Sequence, residues 1–182
     1  DLVEFISGDR ITSLIANTSV AYETRGGKKV QTEDVASLLF ETANGAGGSL
    51  TASQVSFGNK NKLELELDGS KASYIFNQEK PDQLLVGGQH SNQIVLRGQE
   101  TLTASDAKRL SLVPSGHPQG YQDAFNAFVA DAYASFQGEV REGVPGLIDG
   151  LRSAALIEAV IESATTRAWV QVKSLANMLT SK

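Results

Sequence analysis

The segment Lys62–Phe76, KLELELDGSKASYIF, has the clearest structural pattern in the chain. Its first half alternates leucines with carboxylates, namely Leu63, Leu65 and Leu67 with Glu64, Glu66 and Asp68. Because successive side chains of a strand point to opposite faces, this alternation gives one apolar and one charged face. Asp68-Gly69 then precedes a second apolar run, and Asp-Gly favours a hairpin turn because glycine accepts positive φ. The segment therefore predicts a β-hairpin with one solvated face.

Similar runs on either side of this hairpin predict further strands. Those before it cover residues 10–24, 34–43 and 49–57, and those after it cover 83–87, 93–98 and 109–113. Glycine-containing turns separate the early strands, namely RGGKK (25–29), NGAGG (44–48) and GNKN (58–61). Strands joined in this order by turns predict one antiparallel meander.

After these strands the spacing of apolar residues changes from about 2 to about 3.6. Residues 121–136 carry an apolar stripe that predicts a helix, made of Tyr121, Phe125, Phe128, Val129, Ala132 and Phe136. A second helix is predicted at 146–165 and a closing strand at 167–172. Strands followed by helices indicate an α+β fold: an open, mostly antiparallel β-sheet with helices packed on one face.

The first residues, DLVEFISGD, have apolar side chains at helical spacing and a stop signal at Gly8. We expect residues 1–8 to be the end of a helix that leads in from the missing part of a longer protein. A processed natural N-terminus would look the same. Residues 9–173 would then form a C-terminal domain, and residues 174–182 a weakly amphipathic tail that frays.

The composition restricts the classes of function. A net charge of -5 with scattered basic residues disfavours nucleic-acid binding, which needs clustered Lys and Arg. The absence of cysteine excludes disulfides, thiolate metal sites and a cysteine nucleophile. No apolar run reaches the ~18–20 residues that span a bilayer, and no signal-peptide pattern is present. We therefore expect a soluble, cytoplasmic protein with no nucleic-acid or membrane partner.

Several features that could suggest chemistry have simpler structural interpretations. His90 and His117 are far apart, and neither has a partner at metal-binding spacing, so no metal site is predicted. His90 lies in the polar loop GGQHSNQ and is expected to be solvated. The hairpin carboxylates are expected to form a solubilising surface. NGAGG is interpreted as a turn, because a dinucleotide loop must lead into a helix N-terminus.

The segment 114–128, PSGHPQGYQDAFNAF, is a stronger candidate for a binding site. Its glycines and prolines form a loop that enters the predicted helix at Tyr121. A helix N-terminus offers free N–H donors to a ligand, and His117, Gln119 and Tyr121 add polar side chains there. The chemistry alone leaves two interpretations open: a ligand contact, or a strand-to-helix turn in which His117 bonds a local carbonyl.

Three segments in order resemble one known family: GNKNKLELELDGSKAS (58–73), GHPQGY (116–121) and DGLRSAALIEAVIESA (149–164). They are similar to the strand–turn–strand hairpin, a common turn and the last helix of the C-terminal domain of the Gfo/Idh/MocA family. Its members include glucose–fructose oxidoreductase and inositol dehydrogenase. The resemblance covers nearly all of residues 1–173.

This resemblance implies an NAD(P)-dependent oxidoreductase acting on a sugar, polyol or related hydroxyl compound. NAD or NADP would bind to an N-terminal Rossmann domain that is absent here, so no cofactor is expected on this chain. Asp1 matches an acidic residue that follows the family's catalytic histidine, so no catalytic residue lies on this chain, which would be inactive alone. The domain would also form a homodimer or homotetramer through its sheet. The alternative is a non-enzymatic module that assembles through the sheet.

The resemblance further implies that the loop faces the substrate cleft. It assigns substrate contacts to His117, Gln119 and Tyr121, with Gln54 and Ser56 as weaker candidates. Many members carry an arginine near the position of Gln54, which this sequence lacks.

Overall fold

The computed structural model describes residues 1–174. The elements are α1 (Leu2–Ser7), β1 (Ile11–Ser19), β2 (Thr24–Arg25), β3 (Lys28–Lys29), β4 (Val35–Thr42), β5 (Gly47–Ser53), β6 (Glu64–Asp68), β7 (Ala72–Asn77), β8 (Gln83–Gly88), β9 (Asn92–Leu96), α2 (Ser105–Leu110), α3 (Tyr121–Phe136), α4 (Leu147–Thr166) and β10 (Val170–Gln171). Two antiparallel sheets have the strand orders β10-β1-β4-β5 and β6-β7-β8-β9, and β2 pairs with β3. This arrangement confirms the predicted α+β class.

The chain divides into two compact units, of which the first comprises Asp1–Gly58 and the chain from Pro145 onward. Its core lies between β1 and α4. Leu14 of β1 is 1% exposed and pairs in register with Phe40 of β4. Ala159 of α4 joins the same cluster, and its small side chain lets the helix approach the strand closely. Burial of a leucine side chain contributes about 1.5–3 kcal/mol, so this contact decides which sheet face α4 covers.

Ser163 of α4 completes the hydrogen bonding at the edge of β1. The strand β10 pairs only with Ser13 and Leu14, so the N–H of Ala16 has no strand partner on that side. The Ser163 hydroxyl, which is fully buried, accepts from this N–H at 2.8 Å and donates to the Ala168 carbonyl at 2.6 Å. An unsatisfied buried group would cost about 1–3 kcal/mol, so Ser163 fixes the register of α4 on β1.

A buried ion pair joins α1 to the rest of the first unit. The carboxylate of Glu4 accepts from the guanidinium of Arg152 on α4 at 2.7 Å and from the N–H of Ile11 at 2.8 Å. Arg10 adds a third donor at 2.7 Å. Gly8 ends α1 in the left-handed conformation, as the sequence predicts.

The second unit comprises Asn59–Val144 and contains the hairpin predicted from residues 62–76. Leu65 and Leu67 pair with Phe76 and Tyr74 on one face, while the carboxylates of β6 are exposed on the other. The strands β8 and β9 extend this hairpin into a four-stranded meander. The helix α3 coincides with the predicted 121–136.

The strand predicted at 109–113 is wrong. Residues Ser105–Leu110 form α2 instead, because Arg109 donates to Asp106 one turn earlier and binds both carboxylate oxygens of Asp131 on α3, at 2.8 and 2.9 Å. These bonds to Asp131 and Asp106 raise the pKa of Arg109. The ion pair with Asp131 joins residues 22 positions apart, and it overrides the local β propensity of the segment.

Three predicted strands differ most from their expected bounds. The strand predicted at 10–24 ends at Ser19, because the buried Asp34 carboxylate accepts from the N–H groups of Ala21 and Tyr22 and turns the chain. The strand predicted at 49–57 ends at Ser53, and the closing strand is reduced to Val170–Gln171.

The predicted single meander is divided between two four-stranded sheets and one ribbon. Residues 175–182 of the predicted tail lie outside the described residues. Between residues 1 and 174, no helix combines the length and apolar character needed to cross a membrane.

Candidate functional site

The loop between α2 and α3 is folded by a tight turn at Pro114–His117. The N–H of His117 donates to the Pro114 carbonyl at 3.1 Å. Gly116 has φ of 87°, a left-handed conformation that side chains other than glycine rarely adopt. The glycine and proline of this segment therefore build the turn that the sequence predicts.

Arg97, one residue beyond β9, holds this loop in place. Its guanidinium donates to the carboxylate of Asp82 at 2.6 Å and to the Ser111 hydroxyl at 2.9 Å. It also donates to the carbonyls of Val113 at 2.7 Å and His117 at 2.6 Å. The Arg97 side chain is only 12% exposed, so the guanidinium itself is largely desolvated. Such bonds from a charged donor are about twice as strong as neutral ones.

Close packing adds to this clamp at Gly98. A Cβ built on Gly98 would lie 3.2 Å from the Cβ of Ser115, which is tighter than an ordinary contact. The loop therefore rests against the backbone immediately after Arg97.

The side chain of Gln119 forms hydrogen bonds to the backbone where the chain leaves α2. Its amide nitrogen donates to the Leu110 carbonyl at 2.6 Å, and its amide oxygen accepts from the N–H of Leu112 at 2.8 Å. Both ends of the amide thus stabilise the exit from α2. The predicted substrate contact of Gln119 stays a prediction.

His117 and Tyr121 are presented differently from Gln119. Both side chains are exposed, Tyr121 to 72%. Within residues 1–174, no hydrogen bond joins the His117 imidazole to another group. The interpretation in which the imidazole bonds a local carbonyl therefore does not apply, since it is the His117 carbonyl that is bonded. The imidazole and the phenol can each donate and accept a hydrogen bond.

A shallow groove of about 450 Å³ lies beside this loop, formed by residues 79–83 and 118–120. At the start of α3, the N–H of Gly120 donates to the carboxylate of Asp123 at 2.9 Å. This carboxylate occupies the helix N-terminus and places a negative charge there. The electrostatics beside the groove thus disfavour an anionic ligand and are compatible with neutral hydroxyl groups.

The two weaker candidates, Gln54 and Ser56, lie in the first unit just after β5. Both are exposed, and the Ser56 hydroxyl donates to the Ser53 hydroxyl at 2.8 Å. The structure therefore does not place them on the loop that carries His117, Gln119 and Tyr121, and their substrate role stays a prediction.

The structure also shows where His90 and the carboxylates of the hairpin lie. His90 is exposed in the turn between β8 and β9. In the hairpin, Glu64 accepts from Lys62 and Asn77 at 2.9 Å, and Asp68 bonds Ser73. In the part of the chain that the structure describes, no three His, Asp or Glu residues are grouped so that they could hold a metal ion.

Sequence reasoning missed Arg97 and Asp82, although a signal was present. Asp82 immediately precedes the predicted strand 83–87, and Arg97 lies near the end of the predicted strand 93–98. Antiparallel pairing therefore places them opposite each other, and the N–H of Arg97 donates to the Asp82 carbonyl at 2.8 Å. The contacts of Arg97 with the loop lie 14 to 20 residues away and carry no local pattern.

Comparisons with known proteins place this geometry in a family. The C-terminal alpha/beta domain of the Gfo/Idh/MocA oxidoreductase family matches residues 1–172. The chain is 29% identical over 162 residues to levoglucosan dehydrogenase of Pseudarthrobacter phenanthrenivorans, which covers 84% of this chain and 40% of that protein.

Two solved structures show the same fold. An oxidoreductase domain protein from Kribbella flavida superposes with a TM-score of 0.83 and 27% identity, over 96% of this chain and 48% of that one. An inositol dehydrogenase homolog from Azotobacter vinelandii, in complex with NADH and myo-inositol, superposes with a TM-score of 0.76. Its identity of 24%, over 91% of this chain and 45% of that one, shows the fold alone.

The chain spans less than half the length of each of these relatives. The family match covers nearly all of the described residues and confirms the resemblance seen in the three sequence segments. The chain therefore belongs to the Gfo/Idh/MocA oxidoreductase family and corresponds to its C-terminal alpha/beta domain.

Proposed function

We propose that this chain provides a wall of the substrate site in an NAD(P)-dependent oxidoreductase that acts on the CH–OH group of a sugar or polyol. The observation that carries this proposal is that the side chains of His117 and Tyr121 are exposed. His117 lies on the loop whose backbone is fixed by Arg97, and Tyr121 is the first residue of the helix α3 that follows the loop. A rigid loop that displays uncommitted polar groups is suited to binding hydroxyl-rich ligands.

The relatives support the same substrate class. One is named levoglucosan dehydrogenase, and another was solved with NADH and myo-inositol. Both compounds are neutral and rich in hydroxyl groups. This agrees with the carboxylate of Asp123 at the N-terminus of α3, which would repel a negatively charged substrate but not a hydroxyl group.

The described residues do not fit a nicotinamide dinucleotide. NGAGG connects two antiparallel strands, so no helix N-terminus follows it. The N-termini of the two long helices are occupied by Asp123 and Asp149, whose carboxylates accept from the capping N–H groups at 2.9 and 2.8 Å. These carboxylates would repel a pyrophosphate. We propose that the nucleotide binds elsewhere in the full-length protein and that this chain alone is inactive.

We also propose that the outer face of the β1-β4-β5 sheet forms contacts between copies of the protein. This face is opposite to Leu14 and carries Ile15 and the 54% exposed Leu39 beside serine and threonine side chains. A shallow depression of about 590 Å³ lies over these strands. Exposed aliphatic groups in such a patch are typical of interfaces. A non-enzymatic module would use only this face and would not require His117.

The test of the enzymatic function is a His117→Ala variant of the full-length protein, assayed with NAD⁺ or NADP⁺ over a range of sugars and polyols. Loss of one hydrogen bond to a neutral hydroxyl should lower kcat/KM about 3- to 10-fold, mainly through KM.

His90→Ala is the matched control, because His90 is an exposed loop histidine of the same unit outside the site. It should leave the kinetics unchanged. Equal kinetics for His117→Ala and His90→Ala would remove the substrate role of the loop and leave sheet contacts as the role of this domain.

A further inference from the structure

Arg97 lies outside every motif that carries the family resemblance, yet it makes more contacts with the site loop than any other side chain of the described region. All three guanidinium nitrogens donate. One binds Asp82, a second binds Ser111 and Val113, and the third binds the His117 carbonyl. The arginine therefore reaches the loop at both ends of its tight turn.

The base of this arrangement is rigid. Asp82 and Arg97 face each other at the end of the β8-β9 pair, joined by a backbone bond of 2.8 Å and a side-chain ion pair of 2.6 Å. The guanidinium plane is thus fixed by the sheet before it contacts the loop. A loop held from a strand end is positioned more sharply than one held only by its own turn.

We propose that Arg97 is a positioning residue for substrate recognition: by binding the His117 carbonyl, it fixes the direction in which the His117 imidazole faces the substrate. This inference rests on the proposed function, because it assigns to Arg97 an effect that passes through His117. Arg97 itself contacts no substrate, since its side chain is largely buried and its nitrogens are engaged.

Lysine cannot replace arginine here. The guanidinium donates in three directions in one plane, whereas an ammonium group is a single point that cannot reach Asp82, Val113 and His117 together. Arg97→Lys keeps the charge and removes the geometry. It should therefore loosen the loop and raise KM about 3- to 10-fold, with a smaller change in kcat.

The first measurement is hydrogen exchange of residues 111–120 in the full-length protein without substrate. The His117 N–H is bonded to Pro114, so loosening of the turn should speed its exchange in Arg97→Lys. Arg109→Lys is the control, because its bonds to Asp106 and Asp131 hold α2 and α3 but none reaches residues 111–117. Unchanged exchange in Arg97→Lys would overturn the proposal.

The second measurement is a double-mutant cycle on kcat/KM. If Arg97 acts through His117, the effect of Arg97→Lys should disappear in a His117→Ala background. Independent, multiplicative losses would show a general structural effect and overturn the proposal. A His117→Ala protein with unchanged kinetics would instead refute the substrate role of His117, and the positioning role with it. The exchange data would still report whether Arg97 holds the loop.

Asp82→Asn provides a second variant if Arg97→Lys does not fold. It removes the ion pair and leaves the three loop acceptors of Arg97 in place. Asp82→Asn should also speed the exchange of residues 111–120 and raise KM, but by less than Arg97→Lys does. An Asp82→Asn protein that shows neither faster exchange nor a higher KM would contradict the proposal.

Discussion

Glu4 illustrates how a single residue determines stability in this fold. Burial opposes ionisation of its carboxyl group, but hydrogen bonds from Arg152, Arg10 and the N–H of Ile11 outweigh burial and lower its pKa from 4.5 to about 2. The charged form is therefore favoured by folding. In the sequence, Glu4 stands among the apolar residues of a short helix, and nothing there indicates that it forms a buried ion pair.

The sign of the resulting pH dependence follows from the lowered pKa. The unfolded chain takes up a proton near pH 4.5 while the folded protein resists until about pH 2. The stabilisation, about 3 kcal/mol, is therefore complete above pH 4.5 and is lost as the pH falls towards 2. Urea unfolding between pH 7 and pH 2 should reveal this loss of stability at low pH (the acid limb), and Glu4→Gln should make it smaller and lower the stability at pH 7.

Glu158→Gln is the control for this measurement. Glu158 lies on α4 and pairs with Lys173 at 3.3 Å, but both side chains are more than half exposed. Exposed pairs contribute about 0–1 kcal/mol, so the variant should retain the acid limb of the parent protein. The same acid limb in Glu4→Gln as in the parent would refute the role of Glu4.

At the scale of elements, the sequence predicted best those segments whose pattern is local. The helix at 121–136 was predicted with its observed bounds, because its apolar stripe and its loop entry are both local signals. The hairpin around Asp68-Gly69 was predicted for the same reason. In contrast, α2 was missed because its Arg109–Asp131 pair joins residues 22 positions apart.

In the candidate site, too, the sequence indicates only what depends on local patterns. His117, Gln119 and Tyr121 could be named as candidates because they lie at a loop-to-helix junction that is visible in the sequence, and their substrate role stays a prediction. The task of Gln119 within the loop and the clamp formed by Arg97 were not predicted, because both depend on which backbone groups the folded loop leaves unpaired. The early end of β1 likewise depends on a side chain far along the chain, Asp34.

The outer face of the β1-β4-β5 sheet gives a prediction at this scale. Leu39 is half exposed in the middle of that face, so Leu39→Lys should not disturb the core and should place a charge in the proposed contact. We expect light scattering to show a dimer or tetramer for the parent protein and a shift towards monomer for the variant.

Tyr22→Lys is the control for the assembly experiment. Tyr22 is also about half exposed, but it lies in the segment after β1 rather than on the sheet. It should leave the oligomeric state unchanged. A parent protein that is monomeric at high concentration, or a Leu39→Lys variant that assembles like the parent, would contradict assembly through this face.

At the scale of the whole molecule, the chain corresponds to the C-terminal domain of an oxidoreductase family. It matches 40–48% of the length of three relatives. Under the proposed function, this domain would contact the substrate and hold subunits together, and the remainder of the full-length protein would bind the nicotinamide.

The most direct test is the initial rate of NAD⁺ or NADP⁺ reduction by the full-length protein, followed by the absorbance of the reduced nicotinamide. The substrates are a series of sugars and polyols that includes levoglucosan and myo-inositol. We expect reduction that depends on at least one of these compounds. A protein that is folded, as judged by its thermal transition, and that reduces neither nicotinamide with any of them would contradict this expectation.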